Sequence, residues 1–381
     1  MTGAPVSPHR FTAIRVLVGL WVVWLAGNGL GWGAFQGMDR MVVGLAGLAG
    51  LLLMLGRDRR GAAALILAAW WWVPGFHPLG WDGAGGLILL MLLPFLAAKP
   101  GEPWVLGRRR AVAGWQVPTG PWQASRQLWM VTLVLHGVAL LGSPGWRSGA
   151  ILTGLSETPL MGTVGGWLLG LVPDVFFPGL AIGWGILLVL GPALFWVRRT
   201  ERQGYLLVLV TVALFALFYG GSELVWVTVL LTWMGFDGRW LPGRKQGKGG
   251  DLVLFDGVCP LCHGTVEFVL DEDPSGDLRF APLQGETAQQ VLGDRVKEMK
   301  SVIYVRGVGE PVPELARESD AVLAIWERLG GLWRVLACAC WIPRGWRNMV
   351  YQWIARNRYR WFGQLEACSL PPPEVRHRFL P

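Results

Sequence analysis

Charge is spread so unevenly along this chain that one water-facing fold cannot accommodate it. Residues 1–250 hold 28 Lys, Arg, Asp and Glu, whereas the much shorter stretch 251–381 holds 32. A long segment so poor in charge, in a chain with a mean hydropathy of +0.41, reads as helices in lipid. Apolar runs near 12–31, 40–56, 61–76, 83–98, 127–142, 175–197, 203–220 and 222–237 give eight candidate spans. Several fall short of the roughly 20 residues a straight helix needs to cross about 30 Å of hydrocarbon, so the expected count is about eight. The stretch 146–172 is apolar but Gly-rich and broken by Glu157 and Pro159, which reads as a loop or re-entrant segment. Of 24 Trp residues, 18 precede position 241, and Trp32, Trp81, Trp104, Trp146, Trp196 and Trp240 sit near run ends, where an indole can stay half wet as an interface anchor.

Basic residues orient these spans, because cytoplasmic loops keep an excess of Lys and Arg. Arg10 precedes the first run, Arg57, Arg59 and Arg60 follow the second, and Lys99, Arg108, Arg109, Arg110 and Arg126 follow the fourth. Arg198, Arg199 and Arg202 follow the sixth, and Arg239, Arg244, Lys245 and Lys248 the eighth. The opposite loops offer only Arg40 and Arg147, beside Asp39, Asp82, Glu157 and Asp174. The expectation is a multi-pass cell-membrane protein with both termini cytoplasmic. Reading the first run as a cleaved signal peptide would leave that orientation unchanged. The net charge of +8 belongs to the first 250 residues, with 19 basic and 9 acidic against 15 and 17 afterwards. Anionic lipid accounts for that excess, so a bilayer and not nucleic acid is the expected partner. Among ionisable groups inside the spans, Arg15 is expected to snorkel to the cytoplasmic face, Glu223 lies close to a loop, and His136 is assigned no role.

The basic, Gly-rich stretch Leu241 to Gly250 breaks helix and strand alike and reads as a linker. The expected organisation is a membrane domain over 1–240, the linker 241–250, and a small domain over 251–381. In the last, the pattern predicts strands at 252–256, 277–283 and 301–306, helices at 260–271, 286–298 and 319–329, a turn at 273–276, and a mostly helical tail to about 362. Alternating strands and helices point to an α/β layer fold.

All five cysteines, Cys259, Cys262, Cys338, Cys340 and Cys368, lie in this second part. Cys259-Pro260-Leu261-Cys262 follows a strand and opens a helix, the placement that dithiol chemistry uses. Backbone N–H groups and the positive end of the helix dipole stabilise a thiolate at the first position, which makes Cys259 the candidate nucleophile. Cys262, one turn on and expected to be the more covered, would resolve a mixed disulfide. Pro260 suits the first turn, where its missing N–H costs nothing. Asp256, three residues before Cys259, could exchange a proton with Cys262 or cap the turn with its side chain, and both readings stand. Cys338 and Cys340 sit in an apolar stretch and read as inert core thiols, while Cys368 reads as a surface cysteine.

Other chemistries fit the same residues less well. Cys259 to His263 has the Cys-x-x-Cys-His spacing of covalent haem attachment, which the expected cytoplasmic placement opposes. A metal site made of Cys259, Cys262 and some of His263, Cys338, Cys340 or Cys368 is the other alternative, weakened because the second Cys pair has a one-residue gap, not that of zinc knuckles. The run Leu-Val-Leu-Phe-Asp-Gly is similar to the first motif of haloacid dehalogenase-like phosphatases, but Val258 stands where that motif needs a second Asp. No cofactor and no resident metal are expected.

Asp256-Gly257-Val258-Cys259-Pro260-Leu261-Cys262 resembles the Asp-x-x-Cys-x-x-Cys signature of the DCC family of thiol-disulfide oxidoreductases. Leu278 to Gln284, Ser319 to Leu323, and Tyr351 to Gly363 with its Ala355-Arg356-Asn357-Arg358-Tyr359-Arg360 extend the resemblance over about 251–381. It implies a thioredoxin-like fold, with Asp256, Cys259 and Cys262 as signature residues. In the first domain, Arg15, Trp146 to Ala150 and Phe236 to Leu241 resemble the HTTM module related to vitamin K-dependent carboxylase. That module usually shows a glutamate near position 185 and a span histidine near 215, where this chain has Gly185 and Phe215. The tail 344–362 sets Trp346, Val350, Trp353 and Trp361 on one helical side and Arg347, Arg356, Arg358 and Arg360 elsewhere; these aromatics are expected to close the small domain's core, a cytoplasmic leaflet being the other seat for such a helix. The expected whole is a multi-span α-helical membrane domain followed by a cytoplasmic thioredoxin-like domain that exchanges thiols with an unidentified protein thiol or disulfide. The competing expectation is a membrane scaffold or carrier whose soluble domain binds a partner or metal without turnover.

Overall fold

Every regular element among the described residues before position 237 is helical, as a segment that hides its backbone from lipid must be unless it closes a barrel. The structure is a computed structural model that describes residues 6–31, 37–72, 83–102, 115–150, 152–153, 169–218, 223–243, 245–246, 250–273, 276–293, 295, 301–308, 310, 313–365 and 373–381. The chain separates into two units, Met1–Phe236 and Asp237–Pro381. The first contains α1 (Pro8–Gly31), α2 (Gly37–Leu55), α3 (Arg59–Trp72), α4 (Gly83–Ala97), α5 (Thr119–Gly142), α6 (Pro144–Arg147), α7 (Phe177–Phe195), α8 (Glu201–Phe218) and α9 (Glu223–Gly235).

Among the described residues, four segments, Pro8–Asn28, Gly37–Leu55, Thr119–Gly142 and Asp174–Phe195, are long and apolar enough to cross a bilayer, the make-up of a membrane protein. The remaining expected spans fall on α3, α4, α8 and α9, of 14, 15, 18 and 13 residues. Glycines let helices touch: a Cβ on Gly19 of α1 would lie 2.6 Å from the Gly50 carbonyl oxygen of α2. Two buried arginines, Arg59 and Arg15, meet the Glu102 carboxylate. Arg59 donates from Nε to Phe95 O at 3.0 Å and from Nη2 to Ala98 O at 2.6 Å, covering carbonyls at the end of α4, and pairs with Glu102. Arg15 does not snorkel: it is fully buried, with Nη1 3.5 Å from the same Glu102 carboxylate, which supplies its counter-charge in place. Trp146, expected as an interface anchor, is buried and donates to Ala181 O at 2.7 Å. Trp32, Trp81, Trp104, the 157–159 break, Arg244, Lys248 and Cys368 lie outside the described residues.

The second unit is built on a sheet of β1 (Asp251–Phe255), β2 (Leu278–Pro282), β3 (Ile303–Arg306) and β4 (Glu314–Arg317), in the order β2-β1-β3-β4. β1 pairs parallel with β2 and antiparallel with β3, which pairs antiparallel with β4. Its helices are α10 (Pro260–Glu272), α11 (Glu286–Leu292), α12 (Ser319–Leu329), α13 (Gly331–Leu336) and α14 (Arg344–Phe362). All five residues of β1 are buried because the strand is covered on both faces. Val253 and Phe255 join Val266, Val269, Ala321 and Ile325 in one core; Leu252 and Leu254 join Ala288, Leu292, Ile303 and Val305 in the other. The strand β4 is absent from the sequence expectation: an edge strand reading Glu-Leu-Ala-Arg, without a buried residue, carries no apolar alternation. The free edge of β2 is covered by the segment Phe379 to Leu380, whose Leu380 N–H donates to Phe280 O at 2.8 Å.

Three expectations need correction here. Leu241 to Gly243 is packed rather than a mere spacer: Gly331 N–H donates to Leu241 O at 2.6 Å, and a Cβ on Gly243 would lie 2.0 Å from Arg328 O. Cys338 and Cys340 are exposed on the 3-10 turn Ala337–Trp341, which buries Ala337 instead. Trp346, Trp353 and Trp361 do not close the core and are 71%, 59% and 46% exposed, because α14 spends its inward face on Tyr351, Ile354 and Arg358.

Candidate functional site

The turn joining β1 to α10 brings the Cys-x-x-Cys pair to the helix N-terminus. Cys259 is the cap residue; its Sγ accepts the Cys262 N–H at 3.3 Å, and Pro260 takes the first turn. Cys259 N–H donates to Asp256 O at 3.3 Å and Leu365 N–H to Val258 O at 2.9 Å, so the turn is held from two sides. All four described cysteines are free thiols.

Asp256 is the hub of this turn. Its Oδ1 accepts the Val258 N–H at 3.2 Å and Gln284 Nε2 at 2.9 Å, while Oδ2 accepts Arg358 Nη2 at 2.6 Å and the Tyr359 hydroxyl. Gln284 closes the clamp by accepting the Gly257 N–H at 3.1 Å. Burial opposes ionisation of Asp256, but the bonds from Tyr359, Gln284 and Val258 and the Arg358 charge outweigh it and hold its carboxyl below the usual range. The turn-capping bond is thus present, and a carboxylate with four donors is a weak base.

The thiols are driven apart in acidity. A hydrogen bond from the Cys262 thiol, acting against burial and aided by the Cys262 N–H and the Arg358 charge, brings Cys259 down to about 6. The same bond, together with burial, pushes Cys262 up. Coverage is the reverse of the sequence expectation: Cys259 has no exposed surface, whereas Cys262 is half-buried. Cys262 borders a largely apolar cavity of about 100 Å³ whose wall includes Phe255, Val266, Tyr351, Ile354 and Arg358. Tyr351 is fixed by the Val302 N–H, which donates to its hydroxyl at 3.1 Å.

His263 is engaged within the turn, with Nε2 2.7 Å from Gly257 O and its ring edge-on to Phe255. Among the described residues, no cluster of three or more His, Cys, Asp and Glu is arranged to hold a metal ion.

Comparison with known proteins falls on this domain. Residues 253–364 match the family described as DCC1-like thiol-disulfide oxidoreductase. The uncharacterized protein YuxK of Bacillus subtilis is 38% identical over 133 residues, covering 34% of this chain and 93% of that protein. A chloroplastic DCC family protein of Arabidopsis thaliana is 34% identical over 123 residues, covering 31% of this chain and 69% of that protein. The chain belongs to the DCC family. No solved structure matches.

The DCC domain brings Asp256, Cys259 and Cys262 into one turn, and adds Gln284, Arg358, Tyr359 and Tyr351, to which sequence reading gave no role. The signal was there: Gln284 closes the stretch 278–284 and the others lie in 351–363, both of which carry the family resemblance. Sequence alone could not say that these stretches meet at Asp256.

Proposed function

We propose that the DCC domain is a membrane-anchored thiol-disulfide oxidoreductase that works through Cys259 and Cys262. The observation that carries this is the acidity split: a thiolate-prone Cys259 at the helix N-terminus beside a protonated Cys262 within bonding reach. In the reductive direction, the Cys259 thiolate attacks one sulfur of a substrate disulfide; that bond breaks, and the leaving sulfur takes a proton from water. Cys262 then gives its proton to water and attacks Cys259 Sγ, the mixed disulfide breaks, and the second substrate sulfur leaves as a thiolate that takes a proton from water. Two electrons have passed to the substrate, and a dithiol reductant restores the Cys259-Cys262 pair. Asp256 acts in this reading as a positioning residue that fixes the turn and holds Arg358 beside the thiols. Asp256→Asn is expected to slow exchange in stopped flow more than it lowers stability; equal rates would remove that role.

The cavity favours a second order of events. In the disulfide form an incoming thiolate from the cavity side would attack Cys262 Sγ, with Cys259, the more acidic thiol, leaving. Trapping separates the two: Cys262→Ser accumulates the mixed disulfide if Cys259 bears the substrate, and Cys259→Ser does so if Cys262 bears it. A reversible couple between about −320 and −200 mV supports turnover, whereas no couple in that range leaves the scaffold or carrier reading.

The β-α-β-α-β-β-α order and the β2-β1-β3-β4 sheet support a thioredoxin-like fold. For the helical unit the inference is about eight spans over 1–240, multi-pass in the cell membrane, with 251–381 cytoplasmic. Any HTTM-like relationship is taken as architectural only, because the span 175–197 holds no glutamate and Gly185 stands in that region. The substrate is taken to be a protein thiol or disulfide.

A further inference from the structure

We propose that the outward face of α14 is a docking surface for an anionic bilayer, seating the DCC domain in the headgroup layer. Around a helix, positions 346, 349, 350, 353, 357, 360 and 361 fall on one side and 347, 351, 354, 355 and 358 on the other. The inward set lines the dithiol cavity with Tyr351, Ile354, Ala355 and Arg358. The outward set exposes Trp346, Met349, Val350, Trp353 and Trp361 at 71%, 67%, 58%, 59% and 46%, and Trp341, just before the helix, is 87% exposed. Five large apolar residues on one side of a 19-residue helix form a patch, not a scatter of single exposures. Trp353 and Trp361 pack edge to face at 4.9 Å, so two indoles form a single raised ridge.

Charge complementarity names the occupant. Residues 331–363 carry six arginines and no acidic residue, while the rest of 251–381 carries nine basic and seventeen acidic residues. The domain is therefore polarised, with its one basic segment bearing the exposed aromatics. Arg344 and Arg347 reach Asp320 and Arg358 reaches Asp256, whereas Arg356 and Arg360 are exposed on one flank of the aromatic stripe. Indole rings beside guanidinium groups suit the headgroup boundary, where the ring stays half wet and the cation meets lipid phosphate. An acidic protein groove would attract the arginines too, but this chain already carries helices long and apolar enough to place a bilayer at hand. Because the same helix lines the Cys262 cavity, docking would hold the dithiol site close to the membrane surface. The proposal rests on the membrane reading for the presence of a bilayer and is independent of the redox reading.

The test uses the full chain in lipid nanodiscs, one set of phosphatidylcholine and one containing phosphatidylglycerol, followed by amide hydrogen exchange. Peptides covering 341–362 are expected to exchange more slowly in the anionic discs, with the difference shrinking at high salt, while β1 peptides stay unchanged. Arg356→Gln with Arg360→Gln should reduce that lipid-dependent protection by about tenfold, and Trp346→Ser with Trp353→Ser should abolish it. Equal exchange of 341–362 in the two lipids, or protection that survives both double substitutions, overturns the proposal and leaves a protein partner for this face. Alkylation of Cys259 in the same samples reports whether the dithiol site is intact, so failure to dock is distinguishable from failure of the redox reading.

Discussion

At Cys259, the balance of one thiol hydrogen bond, two backbone N–H groups and one guanidinium against burial decides the chemistry available. With its acidity brought to about 6, the alkylation rate of Cys259, read peptide by peptide because Cys338 and Cys340 are exposed thiols, should rise through that pH and level off near neutrality. An ordinary cysteine would keep gaining reactivity through about pH 8.5, and such a profile would refute the acidic thiol. The sign for stability follows from the lowered value. Thiolate stabilisation of the folded dithiol form is complete above the unfolded thiol's 9.0 and is lost as pH falls through about 6. The urea midpoint of the dithiol form, measured against the disulfide form, should therefore climb across that window. Arg358→Gln should raise the Cys259 midpoint and, by leaving Asp256 buried without its cation, lower stability by about 3 kcal/mol in denaturant titration.

Elements are held in register by residues far from them in sequence. Arg378 donates to Leu278 O at 2.9 Å and pairs with Asp273, so the segment that covers the β2 edge is pinned at the start of that strand. Arg378→Ala should cost about 3 kcal/mol, because the buried Asp273 carboxylate would lose its guanidinium counter-charge. The strand-turn-helix around the dithiol was readable from the apolar run 252–255, the Asp-Gly turn and Pro260. β4 was not, since an edge strand of mixed charge lacks the period that marks burial. Nor was the reversed coverage of Cys259 and Cys262, which depends on what α14 and the 365 segment lay over the turn. The packing of Leu241 to Gly243 was equally hidden: Gly-rich chain reads as a spacer until a neighbouring carbonyl shows why no Cβ fits. Gly243→Ala should therefore destabilise the domain by about 1–3 kcal/mol, measurable by thermal melting.

On the scale of the molecule, two differently charged halves impose two solvents on one chain. With four helices of spanning length among the described residues, the protein is expected to stay with membranes through alkaline carbonate extraction. If 251–381 is cytoplasmic, an impermeant maleimide should label the exposed Cys338 and Cys340 in inside-out vesicles and not in right-side-out ones. Labelling in the opposite vesicles would invert the proposed orientation.

Sequence by itself determined the division of the chain into an apolar helical part and a charged α/β part, and the place of the dithiol at a helix start. These depend on composition and on local periodicity, which adjacent residues carry. Only the tertiary structure decided that Gln284, Arg358 and Tyr359 converge on Asp256, that Cys262 borders the cavity, that Arg15 is paired in place, and that the α14 aromatics face outward. Each of these is a contact or an exposure set by chain segments tens of residues apart, and no local pattern records which side of a helix its distant neighbours will cover.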